Sequence, residues 1–223
     1  MFESVTKKLR GAKKIVFVTG AGISQESGIP TFRGKDGLWR NYDAMKLATI
    51  NAFYDNPKLV WEWYNERRKN IFSAEPNLGH KAIAELEKFV KVVVLTQNID
   101  GLHQRAGSTE VLELHGSIVK IKCTVCDFKN EILTEFIRIP PLCKCGNILR
   151  PDVVWFGESL PQEIWQQAMI HASKCDDSCR YIFSSITCKY FTNLCQTKQG
   201  NFNRNKYRRN NNVIRYGFIN KKY

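Results

Sequence analysis

Four cysteines fall as Cys123-x-x-Cys126 and Cys143-x-Cys145, with 16 residues between the pairs. Thiolates paired this closely can chelate. Four together make the closed tetrahedral set of a structural zinc, with no position left for a catalytic water. The spacing is close to the common zinc pattern, the second pair being one residue tighter. Disulfides are the alternative, disfavoured where no secretory signal is visible. A second group of residues could hold a nucleotide. Gly20-Ala21-Gly22 follows directly on the apolar run 15–19, and glycine lets a backbone turn tightly and offer N–H groups to a pyrophosphate. The third glycine of the usual fingerprint is missing, so by themselves these residues read equally as a strand-to-helix turn. Gln97-Asn98-Ile99-Asp100 ends a second apolar run and His115 ends a third. Asn and Asp suit turns. A histidine titrates near physiological pH and suits proton transfer, although a lone histidine is more often structural. Tyr64 and Arg67 stand at i and i+3, so one face of a helix can present both to a pocket. With Glu66 and Arg68 adjacent, a solvated face is the plainer reading.

The elements that must position these residues are legible as runs. Residues 15–19, 92–96 and 111–114 are short, continuously apolar stretches rich in β-branched types, and they predict buried strands. Residues 57–71, 79–90 and 161–174 predict helices, the second with Ile83, Leu86 and either Phe89 or Val90 on its apolar face. Strands of this kind alternating with helices predict a Rossmann-like parallel sheet covered on both faces, an α/β fold. In such sheets the strand C-termini line the ligand crevice, which is where Gly20, Asn98 and His115 fall. Residues 117–150 are short segments around the four cysteines, and 151–157 return as an extended stretch. The expected organisation is a Rossmann-like part over 1–116, a zinc module over 117–150, a return to the first part over 151–176, and a tail over 177–223.

Composition limits the class. The chain has 223 residues, 43% hydrophobic and 25% charged, which excludes wholesale disorder. Eight cysteines are too few for a small disulfide scaffold. No apolar run reaches the ~20 residues of a spanning helix, and the start, MFESVTKKLRGAKK, has no apolar h-region. A soluble cytoplasmic protein with reduced thiols is expected. The net charge of +13 is uneven: after Asp177 there are ten Lys/Arg and no Asp or Glu, whereas the first 177 residues hold 24 bases against 21 acids. A basic zinc protein that binds nucleic acid is therefore one reading, but the bases lie in the tail and not in the cysteine module.

Longer strings sharpen the nucleotide reading. GAGISQESGIPTFRG at 20–34, TQNIDGLH at 96–103, LHGS at 114–117 and RPDVVWFGE at 150–158 stand in this order, with the cysteine pairs between the last two. Together they resemble the sirtuins, NAD-dependent protein-lysine deacylases, over about residues 10–176. The resemblance implies that NAD is a consumed co-substrate, with one structural Zn2+. It implies that Gly20, Ala21, Gly22 and Ile23 line the nucleotide, that Phe32 shields the reacting anomeric carbon, and that Arg33 helps hold the nucleotide. Gln97 would contact the ribose, Asn98 would orient the ribose and a water, and Ile99 and Asp100 would hold the nicotinamide carboxamide. His115 would be the general base. Val153, Val154, Trp155 and Phe156 would pair as a strand with an acyl-lysine peptide. In the desuccinylase branch, Tyr-x-x-Arg binds the acyl carboxylate beside a small residue. Tyr64, Arg67 and Ala48 match that pattern, which implies succinyl or malonyl as well as acetyl groups as substrates. No membrane partner is expected, and no nucleic acid except through the tail.

The resemblance stops at Asp176. A sirtuin should continue with a buried strand, Gly-Thr-Ser, and a later strand ending near Ile-Asn-x-Glu. This chain instead has SCRYIFSSITCKYF and an Asn-, Lys- and Arg-rich run, with Cys175, Cys179, Cys188 and Cys195 at no familiar ligand spacing. Codons permitted for Asp177 to Ser185, read from their second base, can encode I-L-V-G-T-S-S-L. Those for Gln199 to Asn211 can encode K-A-I-L-I-E-I-N-I-E-E-T. The expectation is a one-base frameshift near residue 177, with the C-terminal strands missing from the sheet and an inactive remnant as the rival to an active enzyme.

Overall fold

The computed structural model describes residues 12–31, 44–134 and 136–173, with the backbone alone of 44, 45, 179–183 and 213–215. The main sheet is parallel, in the order β3-β2-β1-β7-β8. Its strands are β1 (Lys14–Thr19), β2 (Lys91–Thr96), β3 (Val111–Glu113), β7 (Cys179–Phe183) and β8 (Val213–Arg215). The last two correct the expectation that the C-terminal strands are missing: residues 179–183 pair in parallel with β1, and 213–215 with β7. Arg180-Tyr181-Ile182-Phe183 is rich in strand-forming types, and the bare edge of β1 offers it a ladder.

The apolar runs are continuous because both faces of the sheet are covered. Val16, Val18, Val93 and Leu95 pack on Ala168 and Ala172 of a helix over Gln162–Ser173. Ile15, Phe17, Val92 and Val94 pack on Ile83 of a helix over Leu78–Leu86. That second helix ends four residues before the expected position, and Val90, not Phe89, returns to the core; Phe89 is exposed.

We number the helices α1 (Ala44–Leu47), α2 (Ile50–Asp55), α3 (Pro57–Ser73), α4 (Leu78–Leu86), α5 (Leu102–Arg105) and α6 (Gln162–Ser173). Asn56 starts α3 by accepting the Leu59 N–H on its side chain, with Pro57 at the first helical position, where a missing N–H costs nothing. Asn77 caps α4 in the same way, through Gly79 and His80.

A small antiparallel sheet, β5-β4-β6, forms the insert, with β4 over Gly116–Cys123, β5 over Lys129–Glu131 and β6 over Leu149–Val153. The chain turns into it at Gly116, immediately after His115. Gly116 has φ +74°, and a Cβ there would lie 2.1 Å from the Asp152 carbonyl oxygen, so only glycine fits. Among the described residues no helix is long and apolar enough to cross a membrane.

Candidate active site and metal centre

The C-terminal ends of three neighbouring strands assemble one cluster. β1 runs into Gly20 and a 3-10 helix over Ala21–Ser27, β2 into Gln97–Asp100, and β3 into Leu114 and His115. Backbone bonds lock the edge: Gln97 N–H donates to Thr19 O at 3.0 Å and Leu114 N–H to Thr96 O at 2.9 Å. The side chains then close a network. Asn98 Nδ2 donates to Gly20 O at 3.1 Å and to Ser24 Oγ at 3.0 Å, and Ser24 Oγ donates to Asp100 Oδ2 at 2.7 Å. Asp100 Oδ1 accepts the Leu102 N–H at 3.0 Å. Asn98 and Asp100 are both buried. Both amide donors of Asn98 are thus engaged, and its carbonyl oxygen is what it can turn to a ligand. Ser24 went unnoticed in the sequence, where it reads as one more loop serine.

His115 Nδ1 lies 2.9 Å from the Gln97 carbonyl oxygen. Burial pulls the His115 pKa down, and the Gln97 carbonyl opposes part of that shift. Ile99, next along, gives its carbonyl to the Ile118 N–H at 2.9 Å and packs against the core that holds the zinc module. Gly20 to Ile23, Asn98 and His115 are thus brought to one edge. Phe32 and Arg33 lie outside the described residues.

A second group gathers beside the insert. Ala48, Tyr64, Val153 and Trp155 belong to one buried cluster, while Phe156 is half exposed. The Trp155 indole N–H donates to the Tyr64 phenolic oxygen at 2.9 Å. The Arg67 guanidinium sits 4.7 Å from the Trp63 ring centre and 5.5 Å from that of Tyr64, within cation–π range. Burial lowers the Arg67 pKa, with Tyr64 acting the other way, and burial raises that of Tyr64. The stretch 154–156 is tied inward through its donors: Val154 N–H to His115 O at 2.9 Å, Trp155 N–H to Glu158 Oε2 at 2.8 Å, and Phe156 N–H to Ala48 O at 2.9 Å.

Arg68 corrects the plain reading of a solvated helix face. It is fully buried, and its guanidinium donates to the carbonyls of Ile118, Ile132 and Thr134. Desolvation lowers its pKa to about 10. Trp61 Nε1 donates to Leu149 O at 2.7 Å, and Asn65 exchanges two hydrogen bonds with the Phe136 backbone. One face of α3 is thereby joined to the insert.

The four cysteines converge. All four Sγ atoms lie within 4.8 Å of one another, with Cys123–Cys145 at 3.5 Å and Cys126–Cys143 at 3.6 Å. Zinc–thiolate bonds of about 2.3 Å in a tetrahedron place sulfurs ~3.8 Å apart. The set fits zinc and is far too open for disulfides, whose sulfurs sit about 2.05 Å apart.

The Sir2 family profile matches residues 20–186. The chain belongs to the Sir2 family. It is 54% identical over 178 residues to NAD-dependent protein deacylase 1 of Caldanaerobacter subterraneus subsp. tengcongensis, covering 78% of this chain and 74% of that protein. It is 53% identical over 185 residues to the NAD-dependent protein deacylase of Pyrococcus furiosus, covering 79% and 74%. A crystal structure of a Sir2 homolog–NAD complex superimposes with a TM-score of 0.81 at 40% identity, over 96% of this chain and 81% of the other. A Sir2 variant with deacetylated p53 peptide and 3'-O-acetyl ADP-ribose superimposes with a TM-score of 0.78 at 34% identity, over 89% and 83%. The Sir2 fold accounts for the parallel sheet and for the cysteine insert between the third strand and the return segment. The matched region takes in all four sequence strings whole.

Proposed function

We propose that this chain removes acyl groups from protein lysines with NAD as co-substrate, releasing nicotinamide and O-acyl-ADP-ribose. The observation that carries the reading is the Gly20–Asn98–Ser24–Asp100 network, held at the sheet edge that also ends in His115. The Gly20–Ile23 turn suits the nucleotide. The acyl oxygen attacks the anomeric carbon, the bond to nicotinamide breaks, and nicotinamide leaves. His115 then takes a proton from a ribose hydroxyl, whose oxygen attacks the acyl carbon. Water completes the exchange and frees the lysine amine. Asn98 would orient the ribose and a water, Gln97 would meet the ribose, and Ile99 and Asp100 the carboxamide. Phe32 and Arg33 would complete the nucleotide site. The cysteine set holds one structural zinc and takes no part in proton transfer.

Tyr64 and Arg67 beside Ala48 favour dicarboxylic acyl groups, succinyl or malonyl, alongside acetyl. A guanidinium is suited to a carboxylate by its fork of donors. The setting is cytoplasmic, and the partners are acyl-lysine peptides or proteins that would pair as a strand with Val153 to Phe156. The organisation is 1–116, 117–150 and 151–176, with a frame-altered tail over 177–223. A second reading, an inactive remnant, is favoured by that tail, which after Asp177 carries ten bases and no acid. Incubation with NAD and acetyl- or succinyl-lysine peptides, followed by mass spectrometry, separates the two. NAD-dependent loss of acyl mass with nicotinamide release supports the enzyme. No loss of acyl mass, with no productive NAD binding by isothermal titration, supports the remnant.

A further inference from the structure

A second charge-paired group lies outside the catalytic network and is absorbed by none of the roles above. The Arg150 guanidinium and the Glu158 carboxylate form a two-point fork, Nη1–Oε1 at 2.6 Å and Nη2–Oε2 at 2.9 Å. Arg150 Nη2 also donates to Val153 O at 3.0 Å, and Glu158 Oε2 also accepts the Trp155 N–H at 2.8 Å. The guanidinium plane lies 3.5 Å from the centre of the Trp155 ring. The Arg150 side chain is 9% exposed and that of Glu158 22%, so water can replace little of this. Hydrogen bonding to Arg150 and to the Trp155 N–H lowers the Glu158 pKa against the opposing effect of burial.

The fork closes the chain on itself between 150 and 158 and clamps Trp155 from two sides. Backbone and ring are fixed by Glu158 and Arg150. The indole N–H is left aimed at Tyr64, 91 residues away in sequence. Trp155 therefore spans from the peptide-facing stretch to the acyl pocket, and its pose is set by two residues that hold that stretch from within. A fork of this kind also fixes angles as well as distances, which a single contact would not.

We propose that Arg150 and Glu158 are positioning residues that hold Trp155 between the peptide-facing stretch and the acyl pocket, so that they set the affinity for acyl-lysine peptide and not for NAD. This rests on the deacylase reading. The test compares wild type, Glu158→Ala, Arg150→Ala and the double variant, with Glu158→Gln as the conservative replacement. Calorimetry with a succinyl-lysine peptide and steady-state kinetics supply the readouts. Loss of a charge-assisted hydrogen bond predicts roughly tenfold weaker peptide binding and a matching rise in peptide KM for either Ala variant. The NAD KM stays within about twofold, and the double variant is no worse than the single ones, because the two residues act as one unit. Glu158→Gln recovers part of the loss by still accepting the Trp155 N–H.

Solvent exchange of the Trp155 indole N–H, assigned with Trp155→Phe, needs no turnover; it quickens in both Ala variants if the clamp holds the ring. Unchanged peptide binding and unchanged indole exchange overturn the proposal. So does a parallel loss of kcat, NAD affinity and melting temperature, which marks a merely structural pair. Wild type that binds NAD yet no acyl-lysine peptide overturns the deacylase reading instead, and the indole exchange still decides the clamp.

Discussion

His103 Nε2 lies 3.0 Å from Thr19 Oγ1, joining α5 to the last residue of β1. Both side chains are buried, as is His80, whose ring centre is 4.8 Å from that of His103. Among the described residues His103 Nδ1 and both nitrogens of His80 have no hydrogen-bond partner. Burial, with His80 adding to it, drives the His103 pKa down to about 3; burial also lowers that of His80.

Acid should therefore unfold this edge. The folded pKa lies below the unfolded one, so between about pH 6.5 and 3 the unfolded chain binds the extra proton and stability falls with pH. The slope approaches about 1.4 kcal/mol per pH unit for one such group. Urea midpoints at pH 7 and pH 5 measure it, and His103→Asn should shrink the difference between them. An undiminished difference would assign the acid sensitivity elsewhere.

His115 acts at the same edge. A carbonyl oxygen only accepts, so the contact with Gln97 O places a proton on Nδ1 and leaves the Nε2 lone pair free as the base. With its pKa lowered, the acidic limb of kcat/KM should fall below the ordinary imidazole value near 6.5. His115→Ala should cut deacylation by about 100-fold or more while zinc content stays at one per chain. Retained turnover would refute the assignment.

Acyl choice is tested at α3. Arg67→Met should lower desuccinylation by roughly 10- to 100-fold, the worth of a charged hydrogen-bonded pair, and deacetylation by only about threefold. Equal losses for both acyl groups would remove Arg67 from carboxylate recognition.

Zinc is tested by its removal. Cys143→Ser or a strong chelator should abolish the bound metal and lower the melting temperature by roughly 10 °C or more. A chain that melts unchanged without metal would show the cysteines to be dispensable.

Residues after Asp176 make a chemical prediction. If a shifted frame explains their composition, sequencing of the coding DNA across codons 170–215 finds a one-base difference, and the native protein's mass departs from 25.8 kDa. An unaltered gene and mass would make the basic tail a feature of the protein. The position of β7 bears on this, because in the shifted frame Ile-Leu-Val begins at Asp177 and reaches only the first residue of the stretch 179–183 that lies beside β1.

The strands and the ligand edge were legible because burial on both faces writes itself into adjacent positions, as in Ile15–Val18 and Val92–Leu95. The cysteine centre was legible from spacing alone. Arg68 was not: its partners stand 50 to 66 residues away, and beside Glu66 and Arg67 it looks like any exposed charge. Ser24 and His103 were missed for the same reason, since their meaning comes from Asp100 and Thr19 across the sheet edge. The tail strands were missed because pairing to the free edge of β1 is decided by that neighbour, and the local sequence carries little of it.

The bonding of α3 to the insert, through Trp61, Asn65 and Arg68, has a kinetic side. These contacts join residues 61–68 to residues 118–149, loops that are slow to close. Capture of metal by the four thiolates couples to the folding of such an insert. The nucleotide edge, built from β1, β2 and β3, can assemble before either event. A newly made chain short of zinc would thus bring its nucleotide edge together before the buried cluster that Tyr64 and Trp155 share with Cys123 and Cys143, and metal supply would slow its maturation.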